Sequence, residues 1–190
     1  ADMNLHDVSG NGIDFATAFA NWSTAVAGGF VSIYSYSQTL HEIEIINIDA
    51  ETYAGHRENL TDVATNLKYK LVVGRIEDAA LVDEIVSGKK FGTIDGIINL
   101  AAESHVDRSI SDPFVFAKSN VLGTQTLLDA AFRYGLKSGA SQPYKPSDYT
   151  IKYVQVSTDE VYGSLGPTGL FTEETPLAPN SPYSSSKASA

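Results

Sequence analysis

Cysteine is absent from all 190 residues, which removes disulfides, thiolate catalysis and cysteine-rich zinc sites together. Positive charge is scarce: 13 Lys and Arg against 23 Asp and Glu give a formal net charge of −10. Such a surface repels phosphate backbones, so nucleic acid is not an expected partner. A small anion can still bind, because local amides and helix ends outweigh a distant overall charge. No apolar run approaches the roughly 18–20 residues of a membrane helix, so no membrane partner is expected. The opening residues 1–12 carry acids and no apolar stretch, which argues against a signal peptide. His105 has no partner histidines at ligand spacing, so no metal site is expected. These absences lead to the expectation of a soluble, cytoplasmic protein.

Hydrophobic residues make up 43% of the chain and charged residues 19%, enough to bury a core. The length suits one domain. No repeat or low-complexity tract interrupts it. Four runs read as strands: 43–49, 69–74, 95–102 and 151–157, mostly apolar and β-branched as buried parallel strands are. Helical spacing separates them. One helix is predicted over 79–87, with Leu81, Val82, Ile85 and Val86, and a second over 113–134, opened by Asp112-Pro113. Residues 136–150 are loop by composition. Strands alternating with helices predict an α/β fold with a doubly wound parallel sheet, whose ligands bind beyond the carboxyl ends of the strands.

Residues 1–42 fit that plan least well. Gly10-Asn11-Gly12 precedes a plausible helix bearing Phe15, Phe19, Trp22 and Val26, yet Asp49 lies too far downstream for the usual phosphate loop. Gly28-Gly29 is better spaced from Asp49, with Thr24–Ala27 as a short strand before it, but lacks a further glycine.

Four constellations carry chemistry. Ser157-Thr158-Asp159-Glu160-Val161-Tyr162-Gly163 follows the last strand. Its two carboxylates can divide acid and base roles if their environments separate their pKa values; a solvated acidic turn is the plain alternative. Tyr183-Ser184-Ser185-Ser186-Lys187 begins just after Ser181, a suitable N-cap, and Pro182, a suitable first helical residue. Tyr183 and Lys187 then share a helix face. An ammonium beside a phenol lowers the phenol's pKa from about 10 towards neutrality, so the phenolate could take a proton from a sugar hydroxyl. The third string, Leu100 to Ser109, places Ala101 and Ala102 after a strand, where small side chains admit a ligand to the backbone, with Ser104 and His105 adding polar contacts. The fourth is Asp49, closing a strand, where an acid bonds the ribose hydroxyls of NAD or simply caps a turn.

From about Glu42 to Ala190 the chain resembles the nucleotide-sugar 4,6-dehydratases of the extended short-chain dehydrogenase/reductase (NAD-dependent epimerase/dehydratase) family, those acting on dTDP-glucose above all. The likeness is carried by Ala101-Ala102-Glu103-Ser104-His105-Val106-Asp107-Arg108-Ser109, Ser157 to Gly163, and Tyr183 to Lys187. The resemblance implies a NAD-binding Rossmann domain over 1–190, a nucleotide-sugar substrate and a lyase reaction. It implies Tyr183 and Lys187 at the sugar O4 and the nicotinamide, Glu160 as the base at C5, and Asp159 as the acid at the departing 6-hydroxyl. Thr158 would orient the sugar. Asp49 and Thr52 would meet the adenosine and Ile76 the adenine. Leu100, Ala101, Ala102, Ser104 and Ser119 would line the cofactor, Ser104 also touching substrate.

Three departures stand out. The family's glycine-rich start is absent or eroded, Arg75 occupies a position usually held by Asp, and Ser119 replaces a threonine. The residues of a substrate domain are expected beyond Ala190. Dimerisation in this family uses helices corresponding to 113–134 and the one starting near Ser181, so a homodimer is implied. Two alternatives stay open: a non-catalytic binding or assembly module, and a UDP-sugar epimerase or decarboxylase.

Overall fold

The computed structural model describes residues 44–190. The candidate phosphate loops at Gly10–Gly12 and Gly28-Gly29, and the helix and strand expected beside them, lie outside the described residues. The chain groups into two compact units, Ala1–Val73 and Gly74–Ala190.

In the first unit, β1 (Ile45–Asp49) pairs in parallel with β2 (Tyr69–Val73), Ile45 opposite Tyr69 and Asp49 opposite Val73. Three isoleucines in five residues suit the pleated backbone. The Asn47 amide donates to the Tyr69 hydroxyl at 2.9 Å, tying the two strands through side chains as well. Parallel strands need a crossover, and the connection here is irregular, with a 3-10 turn at Arg57–Leu60 and Val63 buried.

The second unit opens with α1 (Ala79–Val86). Asp78 caps it, its carboxylate accepting from the amides of Ala80 and Leu81 at 3.0 and 3.1 Å. Val82, Ile85 and Val86 form its buried stripe. Gly88, at φ +74°, ends it in the left-handed region that a side chain would strain. Then β3 (Gly96–Asn99) pairs in parallel with β4 (Lys152–Gln155), Gly96 opposite Lys152 and Asn99 opposite Gln155. The expected strand over 95–102 stops early for a local reason: the Asn99 side-chain oxygen accepts from the Ala101 amide at 3.2 Å and turns the chain outward.

Between β3 and β4 run α2 (Val106–Ser111), α3 (Pro113–Phe116), a π-helical segment (Ala117–Leu122) and α4 (Gly123–Gly135). The helix expected over 113–134 is thus helical along its length but widened in the middle. Such widening recurs where a helix must re-aim one side chain, and here it contains the buried Asn120. Gly123 lies so close to Ile76 that a Cβ would stand 2.6 Å from that side chain. An Asp83 carboxylate oxygen accepts from Arg133 at 2.7 Å and from Tyr134 at 2.6 Å, joining α1 to α4.

Residues 136–150 are a loop with a core of its own. Leu136 bridges Tyr149, and the rings of Phe132, Tyr144 and Tyr149 meet at centroid distances of 5.7–6.3 Å. The last element is α5 (Pro182–Ser189). Phe116, Leu127, Ala130, Ile151, Val161 and Tyr183 gather the core of this unit. Among the described residues no helix is long and apolar enough to cross a membrane.

Candidate active site

Two short segments meet beyond the carboxyl end of β4. In the first, Thr158 caps a 3-10 turn, Asp159–Tyr162, its hydroxyl oxygen accepting from the Glu160 amide at 3.3 Å. Val161 is buried and anchors the turn, while Asp159 and Glu160 stand exposed on it. The acidic pair is therefore presented outward from a fixed base.

The second segment is α5. Ser181 caps it as expected, its hydroxyl oxygen accepting from the Ser184 amide at 3.0 Å while the Ser184 hydroxyl accepts from the Ser181 amide at 2.9 Å. Pro182 takes the first turn, where its missing N–H costs nothing. Tyr183 and Lys187 follow one turn apart and both are buried. The Tyr183 ring packs edge-on against Phe116, with centroids 6.3 Å apart.

The two segments are in contact with each other. Burial pushes the Tyr183 phenol above its ordinary value. The nearby Thr158 hydroxyl opposes that shift, and the negative charges of Glu160 and Asp159 reinforce it. Thr158, Asp159 and Glu160 thus all bear on the Tyr183 phenol. Lys187, expected to draw the phenol towards neutrality, is not among these influences. The Lys187 ammonium instead donates to the Val156 carbonyl at 2.6 Å, and burial lowers its own pKa. The lysine stem thus runs towards the end of β4.

Residues 100–105 follow β3. Leu100 is 37% exposed, Ala101, Ala102 and Ser104 are exposed, and Glu103 is buried. Ser119 is half-buried on the π-helical segment. Ile76 is buried beneath Gly123, so its side chain belongs to the core and only its backbone could meet a ligand. In the other unit, Asp49 closes β1 and one carboxylate oxygen accepts from the Glu51 amide at 2.6 Å, the turn-capping role that competed with ribose binding. Thr52 follows, its carbonyl accepting from the Gly55 amide at 2.9 Å. Glu51 holds a positive φ of 46° and is ion-paired with Arg57.

Asn120 was not singled out by motif, yet it joins these parts. It is 1% exposed. Its amide oxygen accepts from the Glu103 N–H at 2.8 Å, and its amide nitrogen donates to the Glu103 carbonyl at 2.9 Å and to the Ser186 hydroxyl at 2.8 Å. Ser186 in turn donates to the Tyr183 carbonyl at 2.7 Å. One side chain therefore fixes the loop after β3 to the helix of Tyr183. A signal existed: Asn120 interrupts the stripe of Phe116, Thr124, Leu127 and Ala131, and a polar residue on a buried face needs partners.

A cleft of about 110 Å³ lies between Glu160, Gly163, Asn180, Ser181 and Ser184. Parallel strand pairs with helices between them, a phenol on a buried helix and a capped acidic turn at a strand's carboxyl end fit an α/β fold of the dehydrogenase type. Comparison with known proteins narrows this. A family model described as GDP-mannose 4,6 dehydratase matches residues 27–190, and the chain belongs to that family. It is 42% identical over 172 residues to a dTDP-glucose 4,6-dehydratase of Xanthomonas campestris pv. campestris (strain B100), covering 90% of this chain and 47% of that protein. Among solved structures, it resembles DesIV, a dTDP-glucose 4,6-dehydratase from Streptomyces venezuelae solved with NAD bound. There the TM-score is 0.67 and the identity 42%, over 82% of this chain and 42% of that one. A UDP-Glc/GlcNAc 4-epimerase of Campylobacter jejuni shares the fold at TM-score 0.65 but only 25% identity, over 85% of this chain and 44% of that one. The chain spans about half the length of the curated relatives it matches.

Proposed function

We propose that residues 1–190 form the NAD-binding part of a nucleotide-sugar 4,6-dehydratase whose substrate is dTDP-glucose and whose product is the 4-keto-6-deoxy sugar nucleotide. The observation that carries this reading is the packing of the Asp159–Tyr162 turn against the helix of Tyr183, with Glu160 lining a cleft together with Ser181 and Ser184. Oxidation alone needs one base. Elimination of water needs a second base and an acid, and the Asp159–Glu160 turn supplies two carboxylates beside the first. The higher identity to dehydratases than to the epimerase supports the same choice.

The chain's residues fit the cofactor. Ala101 and Ala102 expose backbone with almost no side chain, on a loop that Asn120 holds rigid. Leu100, Ser104 and Ser119 stand beside that backbone in sequence or on the neighbouring segment, and Asp49 and Thr52 are assigned to the adenosine. Bound NAD would supply a reversible hydride acceptor, so that the hydride given up at C4 comes back to C6 as Glu160 returns its proton to C5. Tyr183, as phenolate, takes the O4 proton. Thr158, which caps the acidic turn, orients the hydroxyl that loses it. With a ketone at C4, the C5 proton becomes acidic and Glu160 removes it. The electron pair of the C5–H bond forms the C5–C6 double bond, the C6–O bond breaks, and Asp159 protonates the departing hydroxyl to water. Lys187 holds α5 on β4 and contributes a positive charge to the buried site. A cytoplasmic location accompanies this reading.

Native and denatured intact mass provide the first test. The native protein is expected to exceed the denatured chain by the mass of NAD. In a protein spanning the relatives' full length, Tyr183→Phe is expected to abolish oxidation at C4. Glu160→Gln is expected to retain NAD and block exchange of the C5 proton with solvent. Unchanged exchange in the glutamine variant would remove Glu160 from the mechanism.

A further inference from the structure

The acidic turn is held from behind by a loop that no motif marked. Residues 164–180 leave the turn and return to α5, and most of their side chains are exposed, Leu170 at 85% and Leu177 at 58%. Phe171 is the exception in purpose: its ring stacks on Tyr162, the last residue of the turn, with centroids 5.2 Å apart and planes 30° apart. The loop is pinned at both ends. The Ala178 amide donates to the Val161 carbonyl at 3.0 Å, and the Asn180 amide donates to the Ser164 hydroxyl at 2.7 Å. Gly163 lets this happen. It holds φ +85°, and a Cβ there would stand 2.3 Å from the Ala178 carbonyl oxygen.

Two contacts therefore tie the loop to the second half of a four-residue turn, at Val161 and Tyr162, and the first half of the turn carries the exposed Asp159 and Glu160. A 3-10 turn of this length has little rigidity of its own. An aromatic pair, by contrast, adds specific orientation to the area it buries.

We infer that Phe171 is a positioning residue: through its stack on Tyr162 it sets the aim of the Asp159 and Glu160 carboxylates, and so serves the elimination step and not the oxidation. This rests on the dehydratase reading. Tyr183 is anchored separately, by the α5 capping box and the Asn120–Ser186 bonds.

The test uses a protein spanning the relatives' full length, with dTDP-glucose in deuterated water. Phe171→Ala is expected to slow deuterium entry at C5 roughly 10- to 100-fold, the cost of a misplaced reacting group. Oxidation should continue, so reduced nicotinamide should accumulate and be seen by its near-ultraviolet absorbance. Phe171→Tyr, which keeps the ring, should restore the wild-type rate. Wild-type exchange in the alanine variant would overturn the inference, provided Glu160→Gln blocks exchange. If Glu160→Gln exchanges normally, the dehydratase assignment of Glu160 fails instead. Equal loss of oxidation and elimination in Phe171→Ala, unrelieved by Phe171→Tyr, would reduce the stack to a stabilising contact and also overturn the inference.

Discussion

Tyr183 holds opposed influences on one oxygen. Burial and two carboxylates keep its proton on, while the Thr158 hydroxyl helps take it off. If the phenolate is the base, oxidation speeds up as pH rises towards the Tyr183 pKa, because the active form is the deprotonated one. Thr158→Val removes the one lowering contact, so the pKa climbs and the rate profile of the oxidation step shifts to higher pH. Below its pKa the phenolate fraction falls about tenfold per pH unit, so the loss is greatest near neutrality. Asp159→Asn removes a raising charge and should shift the same profile to lower pH. Single-turnover oxidation measured across pH checks both signs. A profile that moves in the same direction for both variants would show that Tyr183 is not the titrating base.

At the scale of elements, the π-helical segment Ala117–Leu122 is the pivot. It carries Asn120 into a buried position where three bonds satisfy its amide. Asn120→Leu would keep the volume and leave the Glu103 N–H and carbonyl and the Ser186 hydroxyl without this partner. Each buried group stripped of its bond costs about 1–3 kcal/mol. A net loss of roughly 3 kcal/mol is expected, or a fall in melting temperature of about 6–12 °C for a chain of this size. Ser185→Ala, on the exposed face of α5, should change stability by less than about 0.5 kcal/mol. Thermal melts of the two variants side by side check the contrast. Equal melting temperatures would mean that the Asn120 network adds nothing beyond packing.

At the scale of the whole molecule, the helical run from Pro113 to Gly135 leaves apolar side chains in water: Phe114 at 83% exposure, Leu122 at 51%, Phe132 at 41% and Leu128 at 38%. Isolated exposed apolar residues are ordinary, but several on one helical run favour a partner surface. A second copy of the chain is the proposed occupant. Phe114→Asp with Leu122→Asp is expected to give a monomer where the parent is a dimer, measured by light scattering during gel filtration. A parent that is monomeric at the highest workable concentration would remove the homodimer.

Much of the site was legible in residue order, for reasons that can be named. The capping of α5 by Ser181 and Pro182, and the helical spacing of Tyr183 and Lys187, are local: they depend on residues within one turn. Strand positions were legible because β-branched runs favour extended backbone, but the strands are not buried as expected: of their residues only Asn99 is, and it ended β3 earlier than its apolar flank suggested. The family likeness depended on short strings, Ala101 to Ser109 and Ser157 to Gly163, which a linear reading captures well. Those features are set by neighbours in sequence.

What the linear reading missed depends on residues far apart. Lys187 was expected to face the phenol, and only packing against β4 directed its ammonium to Val156, 31 residues earlier. Asn120 was hidden because its partners lie 17 and 66 residues away, and Phe171 because its stack depends on a loop closing back over the turn. Residue order alone determined which chemical groups this protein possesses and which local elements present them. Only the tertiary structure decided which polar atom each buried group satisfies, because burial makes every unpaired donor costly and the nearest partner in space is seldom the nearest in sequence.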